Sequence, residues 1–197
     1  MTTMRTNPAA AQPVRFGFAD FADDARQLIA VVLLITIALI AGFVVKSVAE
    51  NQTRTVRAGT VSAAIPQDWL YQPGAGDLLF TASDPRHPGQ RYSVSRVTPG
   101  SGGLSETIDQ RIGAKSALLE GYQQLSRTAN TIGGRSGEAV TYAYVVNRTG
   151  QLPQVVQAHD LYVNVGNQVL VISLESRAAD FDAALQGFER FVRSVGG

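Results

Sequence analysis

Cysteine is absent from the 197 residues. This removes disulfides, zinc–thiolate sites and thiol nucleophiles in one step, although it does not fix the compartment. Histidine is scarce, with only His87 and His159, so a metal site built on imidazoles has little to draw on. Lysine is scarcer than arginine: Lys46 and Lys115 are the two lysines among 17 basic residues. Net charge is also missing. After Ser47 the chain carries thirteen Lys and Arg against thirteen Asp and Glu, and no basic stripe is visible. A neutral surface of this kind gives no electrostatic reason to seek nucleic acid.

One block is strongly apolar. Leu28-Ile-Ala-Val-Val-Leu-Leu-Ile-Thr-Ile-Ala-Leu-Ile-Ala-Gly-Phe-Val-Val45 contains neither charge nor proline. Eighteen residues at ~1.5 Å each reach about 27 Å, close to a hydrocarbon core of ~30 Å. Thr36 can bond back to its own helix, and Arg26 and Lys46 can snorkel to the headgroups. The competing reading is a cleaved signal peptide. The run is longer than a usual h-region and starts late, and Ser47-Val-Ala49 is a poor cleavage site. The expectation is a retained single-pass anchor over 28–45, with the bilayer as its first partner. Ala38 and Gly42 form a small-xxx-small pair through which two such helices could pack as a homodimer.

Charges near the two ends tie, with Arg5, Arg15 and Arg26 before the run and Lys46, Arg54 and Arg57 after it. The orientation then follows from the usual signal-anchor arrangement: a cytoplasmic tail and an extracytoplasmic globular domain. Residues 1–27 read as a disordered tail rich in Ala, Thr, Pro and Gln. Phe16, Phe18 and Phe21 stand before the membrane as an aromatic belt. Residues 46–57 read as a polar linker.

The remainder, 58–197, alternates between strand and helix patterns. Val61, Ala63 and Ile65 alternate as in a half-buried strand, and 78–82 and 91–98 form two more. Asp84-Pro-Arg-His-Pro-Gly89 has turn residues. A helix is predicted over about 106–123, capped by Ser105, with Leu104, Ile108, Ile112, Leu119 and Tyr122 along one face. Four strands follow, over 124–131, 135–146, 153–165 and 168–175. Gly133-Gly134 and Gly166-Asn167 mark tight turns between them. Val169-Leu-Val-Ile172 is apolar on both sides, which predicts a central strand covered on both faces. Phe181, Leu185, Phe188, Val192 and Val195 keep helical spacing over about 178–195. Tight turns require antiparallel pairing. The predicted fold is α+β: an α/β/α sandwich with a largely antiparallel sheet and two flanking helices.

Three stretches in this order carry a family resemblance. They are Ile65-Pro66-Gln-Asp-Trp69, Ile132-Gly-Gly-Arg-Ser-Gly-Glu-Ala-Val-Thr-Tyr-Ala-Tyr144, and the closing run from Val169 to Val195 with its Asp-Phe-Asp helix start. Over about 58–197 the chain resembles the PsbP-like fold family, which includes PsbP, the Ran-binding Mog protein and bacterial DcrB-like envelope proteins. The resemblance implies a domain that binds proteins or stabilises assemblies. It carries over no site residue, and the apolar anchor departs from soluble PsbP.

No catalytic constellation emerges. His87 stands in a turn near Asp84. His159 and Asp160 are strand neighbours and point to opposite faces. Gly133-Gly-Arg-Ser-Gly137 lacks the Lys-Ser/Thr ending of a phosphate loop and enters a strand. No serine sits in a Gly-x-Ser-x-Gly elbow. Asn51-Gln-Thr53 and Asn147-Arg-Thr149 match the short glycosylation pattern. Trp69, Tyr71 and Phe80 are the aromatics available to a partner surface, with core packing as their alternative. The expected function is a membrane-anchored, non-catalytic interaction domain without a cofactor. It would be an accessory subunit or binding module in contact with other membrane-associated proteins of a membrane or envelope complex. The alternatives are a small-ligand or metal-binding envelope protein and, further off, an enzyme.

Overall fold

The computed structural model describes Ile29, residues 31–43 and residues 52–196. The tail, the aromatic cluster and both ends of the apolar run lie outside the described residues. The chain divides into two units, with the boundary between Asn51 and Gln52.

In the first unit residues 31–43 are helical and their large apolar side chains are exposed. Thr36 Oγ1 donates to the Val32 carbonyl at 2.8 Å, so the hydroxyl is satisfied within the helix. Ala38 is exposed, and a Cβ on Gly42 would meet nothing within 4 Å. Among the described residues no helix is long and apolar enough to cross a membrane. The described stretch spans about 20 Å at ~1.5 Å per residue.

The second unit contains nine strands and two α-helices. The strands are β1 (Thr53–Ala58), β2 (Val61–Pro66), β3 (Leu70–Pro73), β4 (Leu78–Ser83), β5 (Arg91–Val97), β6 (Gln123–Ile132), β7 (Arg135–Val146), β8 (Gln154–Val165) and β9 (Gln168–Arg177). Helix α1 (Gly103–Leu118) separates β5 from β6, and α2 (Phe181–Ser194) closes the chain after a short 3-10 turn. Seven strands form one antiparallel sheet in the order β3-β4-β5-β9-β8-β7-β6, while β1 and β2 make a separate hairpin.

The doubly apolar run sits in the middle strand. In β9, Val169 and Val171 face a cluster with Ile108, Tyr142 and Tyr162, whereas Leu170 and Ile172 face one with Phe188 and Phe191. One helix seals each cluster, giving the expected α+β sandwich. Helix α1 buries Thr107 and Ile108, with Leu104 and Ile112 partly buried beside Ile108, as their spacing predicts. Helix α2 buries Phe181, Ala184, Phe188, Phe191 and Val192. Gly187 allows it to lie close against the sheet, since a Cβ there would meet the Tyr92 hydroxyl at 2.8 Å.

Three details differ from the sequence reading. β1 occupies residues assigned to the polar linker. It pairs residue for residue with β2, and its mostly exposed side chains explain why it reads as polar. β3 was not expected either, because four residues ending in Pro73 are too few to show a period. Helix α1 runs from Gly103, before Ser105, only to Leu118, so Leu119 and Tyr122 lie in the extended cap and turn that follow it. The Glu106 carboxylate accepts the Gly102 N–H at 2.5 Å and caps the first turn, while the Ser105 hydroxyl accepts from Arg127.

The β6–β7 turn uses Gly133 at φ 56° and Gly134 at φ 78°. Two successive positive φ values suit the right-handed twist of a two-residue hairpin. Two other glycines make a paired test. A Cβ on Gly137 would lie 2.3 Å from the Tyr162 carbonyl oxygen in the neighbouring strand, whereas one on Gly113 in α1 would meet nothing within 4 Å. Gly137→Ala is expected to cost about 1–3 kcal/mol through overpacking. Gly113→Ala is expected to stabilise by about 0.5–1 kcal/mol through helix propensity. Urea denaturation of the two variants checks the opposite signs.

Candidate functional site

Helix α2 packs on β9 and on β2. The β1–β2 hairpin holds the helix end: Ser62 and Gly196 exchange backbone bonds at 2.8 and 2.9 Å, and the Ala64 N–H donates to Ser194 Oγ at 2.9 Å. Held there, α2 covers one half of its sheet face. The covered half is aromatic. Trp69 packs on Tyr92 at a tilt with ring centroids 4.4 Å apart, and Tyr92 meets Phe191 at 4.8 Å and Phe188 at 5.4 Å.

Over β6, β7 and β8 the same face borders a groove of about 690 Å³ beside α2. Its floor is Ala139, Leu161, Val163, Leu170 and Ile172, with Phe188 and Val192 on the helix side. The floor side chains are narrowly covered: Ala139 is 3%, Leu161 5% and Val163 3% exposed. Thr128 and Asn130 of β6, an exposed edge strand, form the opposite rim. At one end stand His159 and Leu185; at the other, near both hairpin turns, stand Arg135 and Arg193, with Glu189 one helical turn before Arg193. A second depression of about 200 Å³ shares Arg135, Val165, Leu170, Val195 and Gly196 with the groove and adds Arg96. Arg96 Nη2 donates to Thr60 Oγ1 at 2.8 Å.

His159 pairs its Nδ1 with Thr141 Oγ1 at 2.8 Å. Burial lowers its pKa from 6.5, and the charges of Asp160 and Glu189 only partly oppose this. The imidazole is therefore neutral at neutral pH.

The opposite face carries a polar cluster that sequence reasoning missed. Lys115 reaches down from α1 to Asp160 Oδ2 and to the Tyr142 hydroxyl, with its Nζ 4.3 Å from the Tyr142 ring centre. Tyr162 donates to the same carboxylate oxygen at 3.1 Å. Asp160 is fully buried, and its Oδ1 has no hydrogen-bond partner in the protein. Burial raises the phenol pKa values of Tyr142 and Tyr162, and the Asp160 charge adds to it. Both phenols therefore stay protonated as donors, and the Lys115 bonds pin α1 to the sheet. Lys115 and Asp160 lie 45 positions apart on different elements, which is why no local motif marks them. His159 and Asp160 do face opposite sides, one in each cluster's layer.

The aromatics singled out as partner residues are placed by the core. Trp69 is 4% exposed and Phe80 is fully buried. Trp69 is fixed further by Arg54, whose Nη2 donates to its carbonyl at 2.7 Å. Only Tyr71 keeps an accessible edge, with its ring 5.8 Å from Phe80. Packing density is the physical reason: a tryptophan after a strand end sits where the hairpin, the sheet and α2 converge.

Asp84 and His87 do meet. His87 Nδ1 lies 2.8 Å from Asp84 Oδ2, and the Arg86 N–H donates to Oδ1 at 2.8 Å. Burial alone would raise the Asp84 pKa; the His87 hydrogen bond, the Arg86 N–H and the nearby positive groups outweigh it, and the pKa is lowered from 3.8. The carboxylate thus knots the β4–β5 turn. Among the described residues no group of three or more His, Cys, Asp or Glu converges as a metal-binding set.

Two stability tests separate these sites. Lys115→Met strands a buried carboxylate and is expected to cost about 3–5 kcal/mol, most of which Lys115→Met/Asp160→Leu restores; urea denaturation reads both. His159 has a folded pKa below its unfolded value of 6.5, so the unfolded chain binds the proton first. Stability is then level above 6.5 and falls as the pH drops below it. His159→Gln is expected to flatten this slope in melts between about pH 5 and 8.

No family model matches the sequence, and no curated protein matches it. Solved structures do. The solution structure of cyanobacterial PsbP (CyanoP) from Synechocystis sp. PCC 6803 aligns with a TM-score of 0.54 and 12% identity, over 73% of this chain and 91% of that one. The crystal structure of the Saccharomyces cerevisiae Ran-binding protein Mog1p aligns with a TM-score of 0.53 and 14% identity, over 74% of this chain and 95% of that one. At such identities the likeness concerns the fold alone, and by that measure the globular unit has the PsbP/Mog1-like α+β fold.

Proposed function

We propose that this protein is a membrane-tethered, non-catalytic binding module serving a membrane or envelope complex, with the groove beside α2 as its binding element. The observation that carries the reading is the unequal cover of one sheet face. An apolar floor with a polar rim and a volume of about 690 Å³ falls within the usual 300–1,000 Å³ of ligand sites. The apolar run over 28–45 supports a tether, with the globular unit on the extracytoplasmic side. Tethering raises the effective concentration of the domain toward other membrane components.

The polar chemistry argues against catalysis as the groove's role. Lys115, Asp160 and the buried tyrosines belong to the other face. His159 in the groove is engaged by the Thr141 hydroxyl, which joins its strand to the neighbouring one. The Asp84–His87 pair closes its own turn. A small-ligand site is the second reading, and the same groove volume favours it.

The test is co-purification of the full chain from its native membrane in mild detergent. The expected result is a discrete, stoichiometric companion, protein or lipid, that is lost from the groove-filling variant Ala139→Phe. Thr128→Trp, placed on the exposed rim, blocks the groove without touching the core and guards against misfolding of the first variant. Recovery of the bare monomer from wild type, or a companion retained by both variants, overturns the reading.

A further inference from the structure

The groove differs in chemistry from end to end. Along β8 its floor runs from His159 to Val165, about 20 Å at ~3.3 Å per residue. Its floor side chains are apolar. An extended peptide fits it poorly: its backbone N–H and C=O groups would lie over Ala139, Leu161 and Val163, which offer them nothing. A hydrocarbon chain has no polar group to satisfy.

Charge is arranged along the same axis. Arg135 and Arg193 flank the end near the hairpin turns, and Arg96 lines the depression that continues it. Among the described residues lining that depression there is no carboxylate. Among the described residues lining the groove the one acid is Glu189, one helical turn from Arg193 on the His159 side, and the His159 imidazole is held neutral by burial. An anion is attracted to the arginine end.

We propose that the groove binds a single-chain anionic amphiphile, a long-chain carboxylate, with its hydrocarbon on the apolar floor and its headgroup among Arg96, Arg135 and Arg193. This rests on the groove being the binding element and names its occupant. Guanidinium groups match a carboxylate in shape and charge, and they keep their charge at any relevant pH. Such amphiphiles are bilayer components, available to a chain tethered there.

The test uses the full chain in mild detergent and a fatty acid carrying a mid-chain diazirine. After illumination, adducts are mapped by peptide mass spectrometry. The expected adducts fall on β7, β8 and α2, and oleate displaces the probe about tenfold better than oleyl alcohol, which lacks the charge. Arg193→Glu combined with Arg96→Glu, both on the rim, is expected to reduce labelling about tenfold, and Arg193→Lys to retain most of it. Labelling scattered outside the groove, equal competition by oleyl alcohol, or undiminished labelling of the double variant overturns the proposal. Loss of a co-purifying protein from Thr128→Trp with no labelling by the probe overturns this proposal while the binding-module reading stands.

Discussion

Burial of β9 on both faces is the constraint on which the domain depends. A strand with Val169 and Val171 on one side and Leu170 and Ile172 on the other loses most of its stabilisation at an edge or under a single layer. It must lie centrally, with a cover on each side. The hairpin from β8 places one neighbour, and β5 supplies the other by antiparallel pairing. The remaining strands extend the sheet outward from this core. Helices α1 and α2 are then required as lids, and their order in the chain assigns one to each face.

The two lids close unequally. Beneath α1 the sheet offers Tyr142, Tyr144 and Tyr162 with Asp160, and these need polar partners as well as apolar contact. Lys115 supplies one, and the Tyr144 hydroxyl donates to Glu175 at 2.9 Å while Arg91 pairs with the same carboxylate at 2.6 Å. Burial and the charge of Glu175 raise the Tyr144 pKa, so that phenol remains a donor. Polar bonds of this kind have fixed geometry and hold α1 in one position. Beneath α2 the contacts are almost wholly apolar and aromatic, and position is set instead by the hairpin clamp at Ser62, Ala64 and Ser194. That clamp draws the helix toward β2 and leaves β6, β7 and β8 partly uncovered. The groove follows from where the second lid is fastened.

Most of the frame is legible in the sequence, because its signals are local. Period-two runs, glycine turns and the 3.6-residue spacing of Phe181, Phe188 and Val192 each depend on neighbours in the chain. The doubly apolar run even gives the sheet position of β9. What escapes is whatever depends on two distant segments. β1 reads as linker because its pairing with β2 satisfies backbone groups that leave no trace in side-chain hydropathy. Trp69 and Phe80 resemble a partner surface in isolation, and only the meeting of hairpin, sheet and helix buries them. The groove is further from reach still. Ala139, Leu161 and Ile172 look like ordinary core residues, and they are; the opening above them is a property of helix placement.

The same reasoning ties chemistry to location. The fully buried Asp160 is held through its Oδ2 by Lys115 and Tyr162 in the layer under α1 and faces away from the groove. The ionisable groups at the rim of the α2 face, Arg96, Arg193 and Glu189, are at least partly accessible. An exposed charge contributes little to stability, so its position is not set by folding energetics. Arginines gathered at one end of an apolar floor therefore bear more directly on what enters the groove than on what holds the fold. Such a slot selects for a molecule that is itself asymmetric, with one ionised end and one hydrocarbon end. A symmetric apolar ligand gains nothing from the arginines, and a uniformly polar one must leave its water on the floor unreplaced.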